Sequence, residues 1–277
     1  MGRARVSNNA KTRGSMKIYR TLLSLLIVSL SGCGVLTKMM AKGGTEYKVQ
    51  ITVIDGDKAT IVDRAIAITK SKLDAVGLDG EVRKDENDPS VLIVRVYGTE
   101  DPERTKAFLF TSYQLELRKV ISPPSPSPVK TYPTAAAAQQ VATSEQEVLQ
   151  YGAERRGSSV EQFVIVENSV IVNGEDIRDA SAVSRSESRS AFAITFSLKP
   201  EAAVKFGDWT GKNINNYLAV ILDKRVQSIA FIKSQIFDSG EINGNFSKAE
   251  AEDIALSLKS GYLPATMKVL EEKQFEK

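Results

Sequence analysis

The chain has 277 residues, 42% hydrophobic and 26% charged, an ordinary globular composition at a length that allows one or two domains. It has no histidine and one cysteine, Cys33. That excludes a Ser-His-Asp triad, a Cys-His dyad, a His-ligated zinc site, an internal disulfide and a Cys-only metal cluster. The net charge of +3 resides in the leader: residues 1–32 hold Arg3, Arg5, Lys11, Arg13, Lys17 and Arg20 and no acid. Of the 37 basic residues 31 remain beyond it, against 34 acidic ones. The body therefore carries no basic excess for nucleic acid, and none is expected as a partner.

The leader reads as a secretion signal over residues 1–32. Lys17 and Arg20 precede an apolar run from Leu22 to Leu30, about 10 residues long and shorter than the roughly 20 of a spanning helix. An uncleaved anchor is the alternative. Met16 is a candidate start, with residues 1–15 as an upstream extension. The string Leu30-Ser31-Gly32-Cys33 resembles the bacterial lipobox. The resemblance implies lipidation of Cys33 and a membrane-tethered, extracytoplasmic protein. Gly34 follows Cys33, which favours the outer membrane over the inner.

Residues 42–120 predict a first subdomain of order βαββαβ, the ferredoxin-like pattern. Tyr47, Val49, Ile51 and Val53 alternate as a half-buried strand. Asp57 caps a helix in which Ile61, Val62, Ala65, Ile66, Leu73 and Val76 recur at helical spacing, and Gly77 ends it. Strands follow at 81–84 and 91–97, joined by a turn at Asn87-Asp88-Pro89. Asp101-Pro102 starts a second helix, and Tyr113, Leu115 and Leu117 predict the closing strand.

Five of the nine prolines, Pro123, Pro124, Pro126, Pro128 and Pro133, make residues 121–158 a Pro/Ala-rich linker: a solvated spacer, with a partner-binding proline motif as the alternative. It is expected to be cut by protease between about 130 and 158, with the pieces staying associated.

Residues 159–272 predict a second, mixed α+β unit, so the fold class is α+β with two subdomains. Strands at 162–166 and 170–172 read as a hairpin. Phe192, Ile194, Phe196 and Leu198 alternate, with Phe196 expected in the core. Pro200 opens a helix with Ala203, Val204, Phe206 and Trp209. A hairpin turns at Asp223-Lys224-Arg225. Ser247 to Glu250 has the capping-box form and starts a helix that stops at Gly261, before a last strand over 266–270.

No phosphate loop of the GxGxxG or GxxxxGK[ST] type occurs. The acidic pairs Asp55/Asp57 and Glu250/Asp253 read as helix caps and solvated groups rather than as acid/base or calcium sites. Trp209 and Phe206 read as core, and Asn245-Phe246-Ser247 as the lead-in to a helix rather than a glycosylation site. No catalytic residue, cofactor or metal is expected, and the residues by themselves describe a binding module.

Three stretches resemble the large periplasmic domain of the SecD family of the bacterial Sec export machinery. They are Val170 to Ala180 (VIVNGEDIRDA), Ala219 to Asp223 with Val226 and Ser228, and Ser239 to Ser247 followed by Ala251 to Leu258 and Gly261-Tyr262-Leu263-Pro264-Ala265. More loosely, Lys42-Gly43-Gly44, Ala65 to Gly77, and Asp101 to Arg104 with Ala107 and Gln114-Leu115-Glu116 are similar to the family's earlier motifs. The resemblance implies a base and a head, and partners among preproteins or Sec translocon components. Family members continue into membrane helices that couple proton flow; this sequence ends at Lys277 and has a lipobox in place of the first helix. The expectation is therefore a lipid-anchored accessory of export that does not couple proton flow itself, with an envelope scaffolding lipoprotein as the alternative.

Overall fold

The computed structural model describes residues 43–152, 161–185 and 192–275. Strand β1 (Gly44–Val53) turns its odd-numbered residues Tyr47, Val49 and Ile51 into the core, as the alternation predicts. Helix α1 (Lys58–Ala75) begins where the Asp57 carboxylate accepts from the Thr60 N–H at 2.9 Å. Gly77, at φ +68°, ends it in the left-handed region that a side chain disfavours. Its buried face holds Ile61, Val62, Ala65, Ile68 and Leu73, whereas Ile66 is only partly buried and Val76 is largely exposed. Strands β2 (Gly80–Lys84) and β3 (Val91–Tyr97) form an antiparallel pair, and α2 (Pro102–Phe110) starts from an Asp101 cap.

The expected closing strand is present as β4 (Leu115–Lys119), but it closes a different sheet. It pairs with β10 (Tyr217–Leu222), more than a hundred residues on. The elements between are α3 (Ala135–Gln139), β5 (Gln146–Tyr151), β6 (Gln162–Glu167), β7 (Val172–Asn173), β8 (Ile177–Ser184), β9 (Phe192–Leu198) and α4 (Pro200–Lys212). After β10 come β11 (Arg225–Phe231), β12 (Ser239–Phe246), α5 (Lys248–Ser260) and β13 (Ala265–Phe275). The fourth place in the first sheet belongs to β13, giving the order β13-β1-β3-β2 with every pair antiparallel. Local alternation marks a strand without naming its partner, so β4 and β13 exchange the places that sequence order suggested.

A second sheet runs β6-β5-β11-β10-β4-β7. The strands at 162–167 and 172–173 do not form the expected hairpin; they lie at its opposite edges, β6 on β5 and β7 on β4. The hairpin of β10 and β11 is present, and Asp223 and Lys224 make its turn at φ +51° and +63°. The third sheet is β12-β9-β8.

Residues 121–152 are not a solvated spacer. They supply α3 and β5, and the proline stretch is strapped down along β6. Ile121 N–H donates to Ile165 O at 2.8 Å, and Tyr132 and Phe163 exchange two backbone bonds of 2.8 Å. The Ser125 N–H donates to Asn215 O at 2.7 Å, and the Tyr217 hydroxyl donates to Ser127 O. Proline lacks a donor but not an acceptor, so the intervening serines, isoleucine and tyrosine make the pairing.

Among the described residues the core forms three clusters. One lies between the first sheet and α1 and α2, and extends to Leu263 and Ala265. The largest joins Leu115, Leu117, Leu218, Val220 and Leu222 of the second sheet to β9, α4 and α5. The third, on the other face of the second sheet, holds Val120, Val164, Val166, Ala219, Ile221 and Val226. Alternate residues of β10 therefore serve two cores, which explains its unbroken apolar run.

Candidate functional surface

The predicted lipidation site, Cys33, lies outside the described residues. The other residues considered from sequence have structural places. Asp57 caps α1. Ser247 and Glu250 form the reciprocal capping box of α5: Ser247 N–H donates to Glu250 Oε2 at 2.8 Å and Glu250 N–H to Ser247 Oγ at 3.2 Å. These backbone and hydroxyl donors hold the Glu250 carboxyl below its ordinary range. Asp253 accepts from Arg104 of α2 at 2.9 Å. Phe206 is core, and Trp209 packs against the same cluster while partly exposed. Among the described residues no group of three or more acidic or cysteine side chains converges as a metal site.

Two buried cations escaped the sequence reading. Arg118 on β4 lies between Glu116 and Glu147, and reaches Glu147 Oε2 at 2.6 Å. Lys224 stands 3.5 Å from the same Glu147 oxygen. Two cations and two carboxylates balance, so this cluster leaves no net charge to attract a ligand. Lys72 lies in the core between α1 and α2. Its signal was a lysine at a position that the Ile61, Ala65, Ile68 spacing assigns to the buried face.

The two most exposed large apolar side chains among the described residues lie on α4 and on the segment packed against it. Val204 and Phe237 are 66% and 63% exposed, more than any other large hydrophobic side chain among the described residues. Gly207, one turn after Val204, leaves room for the segment before β12. The Phe237 ring lies 3.6 Å from the point a Cβ at Gly207 would occupy, and Gln235 packs over Gly207 and Gly211. Thr210 is buried and fixes this segment in both directions. Its hydroxyl donates to Ile236 O at 3.1 Å and accepts from Ile236 N–H at 2.9 Å. The backbone beside Phe237 is thus held on the helix while the ring faces water. Exposed apolar groups on a fixed backbone suit transient contact with apolar chain segments.

Residues 146–265, which include this surface, match the family model described as "SecDF, P1 head subdomain". The match begins inside the stretch read as linker. The chain is 33% identical over 217 residues to the protein translocase subunit SecD of Koribacter versatilis (strain Ellin345), covering 78% of this chain and 39% of that protein. It is 33% identical over 236 residues to the SecD of Aquifex aeolicus (strain VF5), covering 85% and 42%. The chain thus spans about two-fifths of the length of these curated relatives. Two solved structures share the fold. "Crystal structure of SecDF in Super-membrane-facing form" superposes with a TM-score of 0.63 at 22% identity, over 84% of this chain and 30% of that one. A chain from "Structure and function of a membrane component SecDF that enhances protein export" gives 0.60 at 21%, over 82% and 98%. Among the described residues no helix is long and apolar enough to cross a membrane. The fold, the relatives and the family match agree: this is a SecD-like protein that carries a SecDF P1 head subdomain at residues 146–265.

Proposed function

We propose that the chain assists Sec-dependent protein export on the outer side of a membrane, as a binding module with no chemical step of its own. The head holds apolar segments of an emerging polypeptide on the Val204–Phe237 surface and releases them as they fold. The observation that carries this reading is two strongly exposed apolar side chains, Val204 on α4 and Phe237 on the segment that Thr210 clamps to that helix, within the subdomain matched to the SecDF head. Lipidation at Cys33 would keep the module beside the membrane, since stable anchoring takes more than one acyl chain and lipoprotein processing supplies several. Pulse-chase export of a Sec-dependent precursor tests the role. The double substitution Val204→Asp with Phe237→Asp is expected to slow precursor release while leaving the circular dichroism spectrum unchanged. Unchanged export kinetics in that variant, at normal protein levels, would refute the assignment. Fractionation of Cys33→Ser tests the anchor: the variant should leave the membrane fraction, and retention there as a processed lipoprotein would contradict it.

A further inference from the structure

The charges that border Val204 and Phe237 have one sign. On a helix the neighbours of a side chain are those three and four positions away. For Val204 these are Pro200, Glu201, Gly207 and Asp208, so both charged neighbours are acids. The Phe237 ring lies 3.6 Å from the point a Cβ at Gly207 would occupy, and Gly207 precedes Asp208 in the chain. Asp238 follows Phe237, and its backbone is fixed: Leu198 N–H donates to Asp238 O at 2.7 Å. Glu201, Asp208 and Asp238 are all exposed.

Glu201 has a structural reason to be there, since an acid in the first turn of α4 complements the helix dipole. Asp208 and Asp238 have none: among the described residues their carboxylates enter no ion pair and no hydrogen bond. The lysines of these two segments lie elsewhere. Lys199 gives its Nζ to Glu175 O at 2.6 Å. Lys205 is about 100° round the helix from Val204, and Lys212, in the last turn, complements the carbonyl end. Lys233 is separated from Phe237 by Gln235, which packs over Gly207 and Gly211.

We infer that the Val204–Phe237 surface selects cationic apolar segments: stretches of polypeptide in which lysine or arginine flanks large apolar side chains. The inference rests on the export reading above and names the chemistry of its clients. A leucine or phenylalanine of the client covers Val204 and Phe237, and a lysine or arginine beside it reaches the Asp208 and Asp238 carboxylates. An acidic flank meets the same two carboxylates unneutralised. Exposed ion pairs are individually weak, so the charges supply selection among clients rather than tight binding. Beyond the leader, 34 acidic residues stand against 31 basic ones, so the wider field of the molecule has the same sign.

Fluorescence anisotropy on the full chain tests this with two labelled peptides that share one Leu/Phe centre, the first flanked by lysines and the second by glutamates. At low salt the lysine peptide should bind about tenfold more tightly, and the ratio should approach one at about 1 M salt, where charges are screened within about 3 Å. The double substitution Asp208→Asn with Asp238→Asn should bring the two affinities together, and Phe237→Ala should weaken both. Equal affinities in the wild type, or a preference that survives in the folded double variant, would overturn the selection while leaving the apolar surface as a client site. Binding of neither peptide would overturn both. A Phe237→Trp form reports other occupants. Its emission should shift with the lysine peptide; a shift only with anionic lipid vesicles, or only with rising protein concentration, would give the surface to a membrane or a second copy and overturn the inference.

Discussion

Phe196 shows how far a single residue can be placed from sequence. Its alternation with Phe192, Ile194 and Leu198 set it inward, and the ring is 4% exposed in the largest cluster. Phe196→Ala is expected to cost about 3–5 kcal/mol, read as a lower denaturant midpoint at unchanged slope; an unchanged midpoint would place the ring outside the core. The opposite error is available at Gly240, where any Cβ would collide with the Phe196 ring. Gly240→Ala should therefore destabilise by about 1–3 kcal/mol through overpacking. The caps at Asp57 and Ser247 were legible because a side chain three residues from its acceptor is a local matter. Lys72 and Arg118 were not, because what makes each unusual is a partner 29 to 39 residues away.

At the scale of elements, periodicity identifies strands and helices where one face is buried, and an apolar run bounded by a turn identifies β10, which divides two cores; the signal fails where burial is slight. β5 escaped notice because only Leu149 among its six residues is fully buried. The proline stretch looked like a spacer because its hydrogen bonds run to Phe163, Ile165 and Asn215, distant in sequence. Limited proteolysis should accordingly leave residues 121–133 intact under conditions that cut unfolded chain, and early cleavage there would show that the strap is open in solution. The capping box of α5 is an element-scale contribution. Ser247→Ala should lower stability by about 0.5–2 kcal/mol, measurable by thermal denaturation.

At the scale of the whole molecule, the head is an insertion within another sheet. The chain lays down β1, β2 and β3, leaves after α2, builds two further sheets, and returns to complete the first with β13. Ten residues of β1 pair with β13, across a register shift between Lys48 and Val49, and Leu263 and Ala265 complete the first core. Such a closure couples the ends of the fold, so the first sheet should not form without the C-terminal strand. A chain ended at Pro264 should lose the protected amides of β1, while those of β10 persist; retention of β1 protection would mean the first layer is complete without it. The insertion carries the Val204–Phe237 surface, and two chain crossings together with the Arg104–Asp253 and Arg64–Glu175 ion pairs join it to the first layer.

The proposed role requires the Val204–Phe237 surface to meet polypeptide in transit. Site-specific photo-crosslinking from position 237 in intact cells, with a Sec-dependent precursor stalled during export, decides this. A precursor adduct is predicted at 237 and not at exposed Glu81 on β2, which lies outside the insertion, and the adduct should disappear when the precursor is chased to completion. No precursor adduct at 237, or an equal one at 81, would contradict the claim.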